Sequence, residues 1–558
     1  MIRYFLLVIF YISFFCSHTQ AIVPVYFTPV TERKATTQET EIVVYGGTSA
    51  GSMAAIQAAR LGRKTTLVSF NQHVGGLTSG GLTASDLGDS KSIGGLALEY
   101  YQRLGVKTEF SSAHAERVFR TMLADAGVNV LLGQPLESVM MKNQEIVSAT
   151  FATGLTLAGK VFIDATYEGD LMAAANVSYT VGREPRGTYN ESLAGQSQNV
   201  SWKNVYQFCR LPISPYLVAD DPSSGLLPEI SAHKLGKSGD GDYRVQAYNF
   251  RMNLTNKEDR IPFPKPKDYD PARYALLSRF LNFSTEVTWV LNYTVKPMTD
   301  GPVQLRNGDS NNAGSFSTDL VGGSDRWPDG TFEPVTFSEM PPPRRGLSMP
   351  LLELYQIREK IFQDHVTYQQ GLLYFLANEK GVPMTLRARV NQFGLDPREF
   401  KDTGHWPHQL YIREGRRMVS DYVMTQANCE KDCIANDSIG LASYAMDSHF
   451  CQRVVVEENG ITTVRNEGGF GHACKKGAYP VSYRSIVPRQ TECNNLLVPV
   501  SLSASHAAFG SIRMEPVFMI LGHSAGVAAV LAIGENRSVQ EVPYIRLKEL
   551  LEKQGQKL

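Results

Sequence analysis

The most constraining feature of this sequence is an apolar strand that runs directly into a glycine-rich turn and then into an alanine-rich helix. The strand covers residues 41–45, the helix extends to Arg60, and a second apolar strand covers residues 64–69. The turn between them consists of Gly46, Gly47, Thr48, Ser49, Ala50 and Gly51. This order of elements is typical of a βαβ unit. It predicts an α/β fold with a parallel sheet.

The turn has the composition of a phosphate-binding loop. Gly46 permits a tight exit from the strand, Gly51 allows close packing of the helix on the sheet, and the N–H groups of the first helical turn attract an anion. Thr48 replaces the middle glycine of the GxGxxG pattern, and Ser69 stands where an acidic residue usually binds ribose. A serine hydroxyl can also bond a ribose. We therefore predict a nucleotide site at 46–51 and Ser69, with a purely structural turn as the alternative.

Three further segments extend this pattern. A double-glycine loop with Gly75 and Gly76 follows the second strand, where a plain NAD-binding domain has no need of it. A later strand, residues 161–164, ends in the small-residue turn Asp164, Ala165 and Thr166. Near the other end of the chain, residues 495–500 predict a strand and residues 515–533 a helix rich in small residues. Gly522 and Gly526 in that helix would allow close packing on the first βαβ unit.

In this order, the segments resemble the FAD-dependent oxidoreductase family of the glutathione-reductase-like superfamily, in particular flavoproteins related to fumarate reductase. The resemblance covers residues 41–175 and 405–535 and implies FAD as the cofactor. It implies that the Asp164, Ala165 and Thr166 turn approaches the nucleotide and that residues 495–529 close over the isoalloxazine ring. A helix N-terminus stabilises the negative charge of a reduced flavin. We therefore expect Met514 and Glu515 to contact the flavin.

The expected architecture is a Rossmann-like FAD-binding domain built from N- and C-terminal segments, with an inserted α+β substrate or cap domain. The expected boundaries are a signal peptide at 1–21, a linker at 22–40, the first part of the FAD-binding domain at 41–175, the insert at 176–404, the second part at 405–540 and a tail at 541–558. Helices are expected at 351–378 and 409–425.

The N-terminus has the charge-then-apolar order of a secretory signal, too short to span a bilayer. Eight Asn-x-Ser/Thr sequons support a secreted glycoprotein without a membrane span after signal removal: Asn176, Asn190, Asn199, Asn253, Asn282, Asn292, Asn436 and Asn536. Lys plus Arg and Asp plus Glu are balanced at 55 each, so charge gives no reason to expect nucleic acid as a partner. A retained signal anchor is the alternative.

Cysteine usage fits an oxidising compartment. Beyond the signal region the chain has Cys209, Cys429, Cys433, Cys451, Cys474 and Cys493, which permit up to three disulfides with the pairing left open. No His/Cys cluster has zinc spacing, and we predict no metal site.

Substrate chemistry points to residues near the expected flavin. Oxidation of an alcohol or amine needs a base as the hydride leaves, and His449 and His506 are the candidates. Arg513, and secondarily Arg413 and Arg484, could hold a carboxylate or orient a sugar. For any one of these residues, a structural role is the simpler interpretation.

The resulting hypothesis is a secreted FAD-dependent oxidoreductase that takes a hydride from a small polar substrate. A carbohydrate-derived alcohol is favoured only by the family resemblance. Oxygen, a quinone or a protein would reoxidise the flavin, because no second strand-anchored glycine motif indicates an NADPH domain. The alternatives are an NAD(P)-dependent dehydrogenase and a secreted, non-catalytic binding protein with a degenerate flavin fold, which Thr48 and Ser69 keep open.

Overall fold

A computed structural model of the chain describes residues 23–106, 110–197, 211–283, 317–458 and 460–558. The helices are α1 Ser49–Arg60, α2 Gly76–Ser79, α3 Gly95–Leu104, α4 Ser112–Asp125, α5 Asp170–Ala174, α6 Arg186–Tyr189, α7 Ala275–Leu281, α8 Leu351–Asn378, α9 Met384–Val390, α10 Gln426–Cys429, α11 His506–Ile512, α12 Glu515–Glu535 and α13 Tyr544–Lys553. The expected signal peptide lies outside the described residues.

The strands are β1 Thr36–Glu39, β2 Ile42–Tyr45, β3 Thr65–Val68, β4 Asn129–Leu131, β5 Leu136–Lys142, β6 Glu145–Phe151, β7 Leu155–Ala158, β8 Val161–Asp164, β9 Tyr179–Thr180, β10 Gly241–Asp242, β11 Leu254–Thr255, β12 Thr336–Phe337, β13 Gly394–Leu395, β14 Arg417–Met418, β15 Ser438–Ala442, β16 Met446–Ser448, β17 Gln452–Glu458, β18 Ile461–Glu467, β19 Phe470–His472, β20 Tyr479–Ser482 and β21 Leu496–Leu497.

A five-stranded parallel sheet organises the molecule. Its order is β21-β8-β2-β3-β4, so the first βαβ unit lies at the centre and a strand from near the C-terminus lies at one edge. Val44 in β2 pairs with Leu67 in β3 on one side and with Ile163 in β8 on the other. Strands β2, β3 and β8 are buried along their whole length because helices and loops cover both faces of the sheet. The predicted α/β fold, assembled from both ends of the chain, is confirmed.

Helix α12 packs directly against α1. A Cβ atom added at Gly522 would lie 2.1 Å from the Ala50 carbonyl oxygen, and one at Gly526 would lie 2.6 Å from that of Ala54. The glycines therefore set how closely the two helices approach. By length and composition α12 could cross a membrane, yet 83% of its most apolar window is buried inside the protein. Its hydrophobicity is that of a core helix.

The segment expected to be a linker is partly ordered. Strand β1 joins a second sheet, of order β1-β7-β6-β5. Tyr26 and Phe27 are buried, and their backbone N–H groups donate to the Glu359 carboxylate at 2.7 and 2.8 Å. The described part of the expected linker is therefore packed on the rest of the protein. The physical reason is that the few aromatic side chains of this Thr/Pro-rich segment pack on α8, which is distant in the sequence.

Residues 176–404 contain short strand pairs and the long helix α8, whose predicted range is confirmed. Strand β10 pairs with β12, while β9 pairs with β14 and thus connects this region to residues 417–418. The predicted helix at 409–425 is wrong. That segment is extended and includes β14, because its arginines are buried and reach acidic partners from different parts of the chain. The domain boundaries stay predictions.

The C-terminal residues also pack on the core. Helix α13 lies within the expected tail and buries Leu547 and Leu551 completely. Its apolar residues recur at helical spacing, which predicts a helix within the segment 541–558 that was expected to be a tail.

Candidate active site

The glycine turn is packed so tightly that only glycine fits at its two ends. Gly46 has a φ of +112°, and a Cβ atom there would lie 2.6 Å from the Ala165 backbone carbon. A Cβ atom at Gly51 would lie 1.9 Å from the Gly46 carbonyl oxygen. The N–H groups of Ser49 and Ala50 belong to the first turn of α1, which has no acceptor within its own helix. This cradle of backbone donors is suited to a pyrophosphate.

Thr48 has a structural role that the simple glycine pattern did not reveal. Its hydroxyl donates to the Ala165 carbonyl at 2.7 Å and accepts the Gly51 N–H at 3.2 Å. Thr48 therefore caps α1 and ties the glycine turn to the turn that follows β8. Thr48, which stands in place of the middle glycine of GxGxxG, thus adds two hydrogen bonds to the cradle.

Asp164 organises its own turn. Its carboxylate accepts hydrogen bonds from the Thr166 N–H and hydroxyl and from the Met172 N–H, at 3.0, 2.7 and 2.8 Å. Burial raises the pKa of Asp164 to about 6, although these hydrogen bonds oppose the shift. The backbone of this turn lies against Gly46, and the expected approach of Asp164, Ala165 and Thr166 to the nucleotide stays a prediction.

Ser69 is fully buried at the end of β3. Its hydroxyl accepts the Gly47 N–H at 3.2 Å and donates to the Asn71 side chain at 2.9 Å. In this structure the side chain braces the glycine turn. Its expected contact with a ribose stays a prediction and would require these hydrogen bonds to be shared.

The double-glycine loop is fastened to the cradle. Gly75 and Gly76 both have left-handed backbone conformations, and the Gly75 N–H donates to the Gly47 carbonyl at 2.7 Å. A Cβ atom at Gly76 would lie 2.3 Å from the Tyr167 hydroxyl oxygen, so this position also excludes a side chain. The loop and the first turn of α1 therefore form one continuous wall.

Glu515 connects that wall to α12. Its carboxylate accepts hydrogen bonds from the Thr78 and Tyr167 hydroxyls, each at 2.7 Å. Burial raises the pKa of Glu515, against the effect of its hydroxyl donors. The Glu515 side chain is thus engaged within the protein, and the expected contact of Met514 and Glu515 with a flavin stays a prediction that would involve their backbone.

His449 lies between two carboxylates. Its Nδ1 is 2.6 Å from Oδ2 of Asp319, and its Nε2 is 3.7 Å from Oδ2 of Asp447. Asp447 in turn accepts a hydrogen bond from Arg513 at 3.2 Å. An acid that holds one imidazole nitrogen fixes the tautomer and directs the other nitrogen to its task. The structure thus brings His449 and Arg513 together, just before α12 begins.

Three guanidinium groups surround the ring of Tyr411. Arg413, Arg251 and Arg513 lie 4.4, 5.1 and 5.6 Å from its centroid, and Arg513 donates to its hydroxyl at 2.7 Å. Burial lowers the pKa of Arg413 to about 10, and the other two arginines act in the same direction while Asp319 opposes them. Such a cluster can orient hydroxyl or carboxylate oxygens of a small polar molecule.

His506 belongs to an adjoining cluster. Its Nδ1 lies 2.8 Å from the Glu414 carboxylate and its Nε2 lies 3.4 Å from the Ser448 hydroxyl. Although burial opposes it, His506 and Arg417 hold the pKa of Glu414 below its usual value. Both ring nitrogens of His506 therefore have partners within the protein, which suits positioning of the strand that leads to His449.

Sequence reasoning missed most of the partners in these clusters. Asp447 could have been found, since it stands two residues before His449 and residues two apart in an extended segment share a face. Asp319 and Glu414 gave no local signal, because they meet their histidines only through the fold. Arg484, a secondary candidate, instead pairs with Asp437 on a half-exposed surface at 3.0 Å.

Taken together, the backbone cradle, the double-glycine loop and the neighbouring His/Arg cluster define a flavin-dependent oxidoreductase of the dinucleotide-binding class. The chain belongs to the FAD dependent oxidoreductase family, whose model matches residues 41–551. FAD is therefore its cofactor, and the NAD(P)-dependent alternative is set aside. The cradle fits this group, since the N–H groups in the first turn of α1 have no acceptor within the helix and suit a pyrophosphate.

Solved structures with a similar core are distant in sequence. THI4 of Thermovibrio ammonificans is 18% identical over 26% of this chain and 66% of that chain, with a TM-score of 0.21. L-proline dehydrogenase from P. horikoshii is 13% identical over 28% of this chain and 26% of that chain, with a TM-score of 0.18. A flavocytochrome c3 fumarate reductase is 14% identical over 26% and 43%, with a TM-score of 0.20. The chain spans about a quarter to two thirds of these proteins, and likenesses this distant say nothing about its substrate.

Proposed function

We propose that this protein is a secreted FAD-dependent oxidoreductase that oxidises a small polar substrate, with carbohydrate-derived alcohols as the first class to test. The observation that carries the proposal is the position of His449 between Asp319 and the Asp447–Arg513 pair, in which Arg513 stands two residues before the start of α12. A base, a positive orienting group and the flavin-facing helix then meet in one place.

The proposed chemistry is a hydride transfer coupled to loss of a proton. FAD, when bound, supplies the acceptor for the hydride from the substrate carbon. His449 takes the hydroxyl proton at Nε2, while Asp319 holds Nδ1–H and stabilises the resulting imidazolium. Arg413 pairs with Asp319 at 3.1 Å and keeps that carboxylate in place. Arg513 and Tyr411 orient the substrate oxygen.

Anaerobic mixing of the purified holoprotein with a panel of sugars, sugar alcohols and hydroxy acids tests the proposal. We expect at least one compound to bleach the oxidised flavin spectrum, and Asp319→Asn to slow the bleaching while retaining the cofactor. If no member of the panel bleaches the flavin in protein that carries a full complement of FAD, this substrate class is rejected.

The electron acceptor is proposed to be oxygen or another small or protein oxidant. Re-admission of air to the bleached holoprotein measures this directly. Rapid return of the oxidised spectrum together with hydrogen peroxide would support oxygen, and slow return would favour a different acceptor.

Secretion is supported by the N-terminal signal pattern and by the sequons. Five of them have exposed asparagines in the described residues: Asn176, Asn190, Asn282, Asn436 and Asn536. Asn253 is only 3% exposed and accepts a hydrogen bond from Ser112, so its sequon is not expected to carry a glycan. Asn199 and Asn292 lie outside the described residues. A mobility shift on glycosidase treatment of protein from culture medium would test this part.

A further inference from the structure

Two of the cysteines lie in one small cluster beneath α11. Cys429 is the last residue of α10 and is fully buried, while Cys474 follows β19 and is partly exposed. The Cys474 sulfur lies 3.9 Å from the Ser511 hydroxyl, which accepts a hydrogen bond from the Tyr479 hydroxyl at 2.7 Å. The Cys429 thiol is in hydrogen-bond contact with both Cys474 and Tyr479. The four side chains thus form a closed group in which the sulfurs are neighbours.

The other cysteines in the described residues have different surroundings. Cys433 is exposed beside the Tyr422 hydroxyl at 3.9 Å, and Cys493 lies 3.5 Å from the Asn495 side chain. Cys451 packs against Gly468, where an added Cβ atom would lie 2.7 Å from its sulfur. Cys209 lies outside the described residues. Among the five cysteines that the structure describes, the fold therefore favours one pairing.

We propose that Cys429 and Cys474 form a disulfide bond in the mature protein. The proposal rests on the secretory location proposed above, because a disulfide persists only in an oxidising compartment. The bond would join α10 to the end of β19, whose Gly471 pairs with Asp447. It would therefore brace the strand pair that carries Asp447 into the His449 cluster.

The chemistry of the two thiols suits stepwise oxidation. The pKa of Cys474 is lowered, first by its hydrogen bond with Cys429 and then by that with Ser511. Burial raises the pKa of Cys429. The partly exposed Cys474 thiolate would attack the disulfide of a thiol–disulfide exchange protein and form a mixed disulfide. Cys429 then loses its proton and displaces that protein, which leaves as a dithiol with the two electrons while the new S–S bond forms.

Peptide mapping under non-reducing conditions tests the pairing. The full-length protein is collected from the medium of eukaryotic cells, its free thiols are blocked at once, and peptides are identified before and after reduction. We expect one peptide pair joined through Cys429 and Cys474, also in the matched control Cys433→Ser. Both residues found alkylated in secreted, glycosylated protein would overturn the disulfide while leaving the oxidoreductase proposal intact.

Thermal unfolding gives a second measurement that does not depend on secretion efficiency. Protein oxidised in a glutathione buffer should lose roughly 3–6 °C in Tm when Cys429→Ser or Cys474→Ser is introduced, and the double variant should lose no more than either single one. Reductant should lower the Tm of the parent and leave the double variant unchanged. Additive losses, or no response of the parent to reductant, would contradict the pairing.

Discussion

The glycine turn at 46–51 and the His449 cluster differ in the chemical groups that they present. The turn presents backbone N–H groups, and it is packed so closely that a Cβ atom at Gly46 or Gly51 would collide with Ala165 or with Gly46 itself. The His449 cluster presents the charged side chains of Asp319, Arg413 and Arg513, which are all buried. The first region depends on shape over a few consecutive residues, whereas the second depends on charge pairing across the whole chain.

This contrast separates binding from chemistry. Changes of size in the turn should remove FAD, while changes of charge in the cluster should leave FAD in place and slow its reduction. The two kinds of variant can be told apart by measuring flavin content and flavin reduction on the same preparations.

The largest expected effect is on cofactor retention. Gly51→Trp should abolish FAD binding, because even a Cβ atom at this position would lie 1.9 Å from the Gly46 carbonyl oxygen. The ratio of flavin to protein absorbance after desalting measures the loss. Gly187→Ala is the matched control, since nothing lies within 4 Å of a Cβ atom there. A yellow Gly51→Trp protein with a full complement of FAD would contradict the assignment of the 46–51 turn as the phosphate-binding site.

The next effect is on the chemical step. His449→Gln should keep its FAD and reduce it about 10²–10⁴-fold more slowly, since a positioned base is lost while the cradle is untouched. Anaerobic stopped-flow bleaching with the substrate found in the panel measures the rate. An unchanged rate would remove His449 from the mechanism.

A smaller effect is expected at the neighbouring histidine. His506→Ala should slow flavin reduction more than it weakens FAD binding, yet less than His449→Gln does, because both nitrogens of His506 contact the protein. It should also cost about 2 kcal/mol of stability, since the buried Glu414 carboxylate loses a partner and keeps Arg417 at 3.2 Å. Denaturant unfolding measures this cost. A rate loss as large as that of His449→Gln would reverse the two assigned roles.

The smallest effect lies at the junction between the two regions. Burial raises the folded-state pKa of Glu515, so the folded protein favours its protonated form. That contribution to stability is present below the unfolded pKa of about 4.3 and is lost as pH rises through the folded pKa. Glu515→Gln should therefore lose less stability than the parent as the pH rises above about 4.3. Parallel pH profiles of Tm would contradict this account of Glu515.

The two regions also differ in how far the sequence predicts them. The glycine turn, its flanking strands and α1 follow from consecutive residues, and α8 follows from helical periodicity over its length. The packing of α12 on α1 was predictable from Gly522 and Gly526. In each case local pattern and tertiary packing require the same structure.

Where the sequence misled, the determining contacts were distant. The pattern of 409–425 suggested a helix, but its arginines are buried against acids or carbonyls from elsewhere in the chain, as Arg416 is against Asp170 at 2.7 Å. Tyr26 and Phe27 looked like part of a linker because their partner, Glu359, lies more than three hundred positions away. Asp319 could not be assigned to His449 for the same reason.

A holoprotein structure determined from the purified yellow protein tests the central claim most directly. The account predicts the FAD pyrophosphate at the N–H groups of Ser49 and Ala50, with the isoalloxazine ring between the first turn of α12 and His449. A ring bound away from His449, or a pyrophosphate away from the 46–51 turn, would contradict the division between a backbone cradle and a charged catalytic cluster.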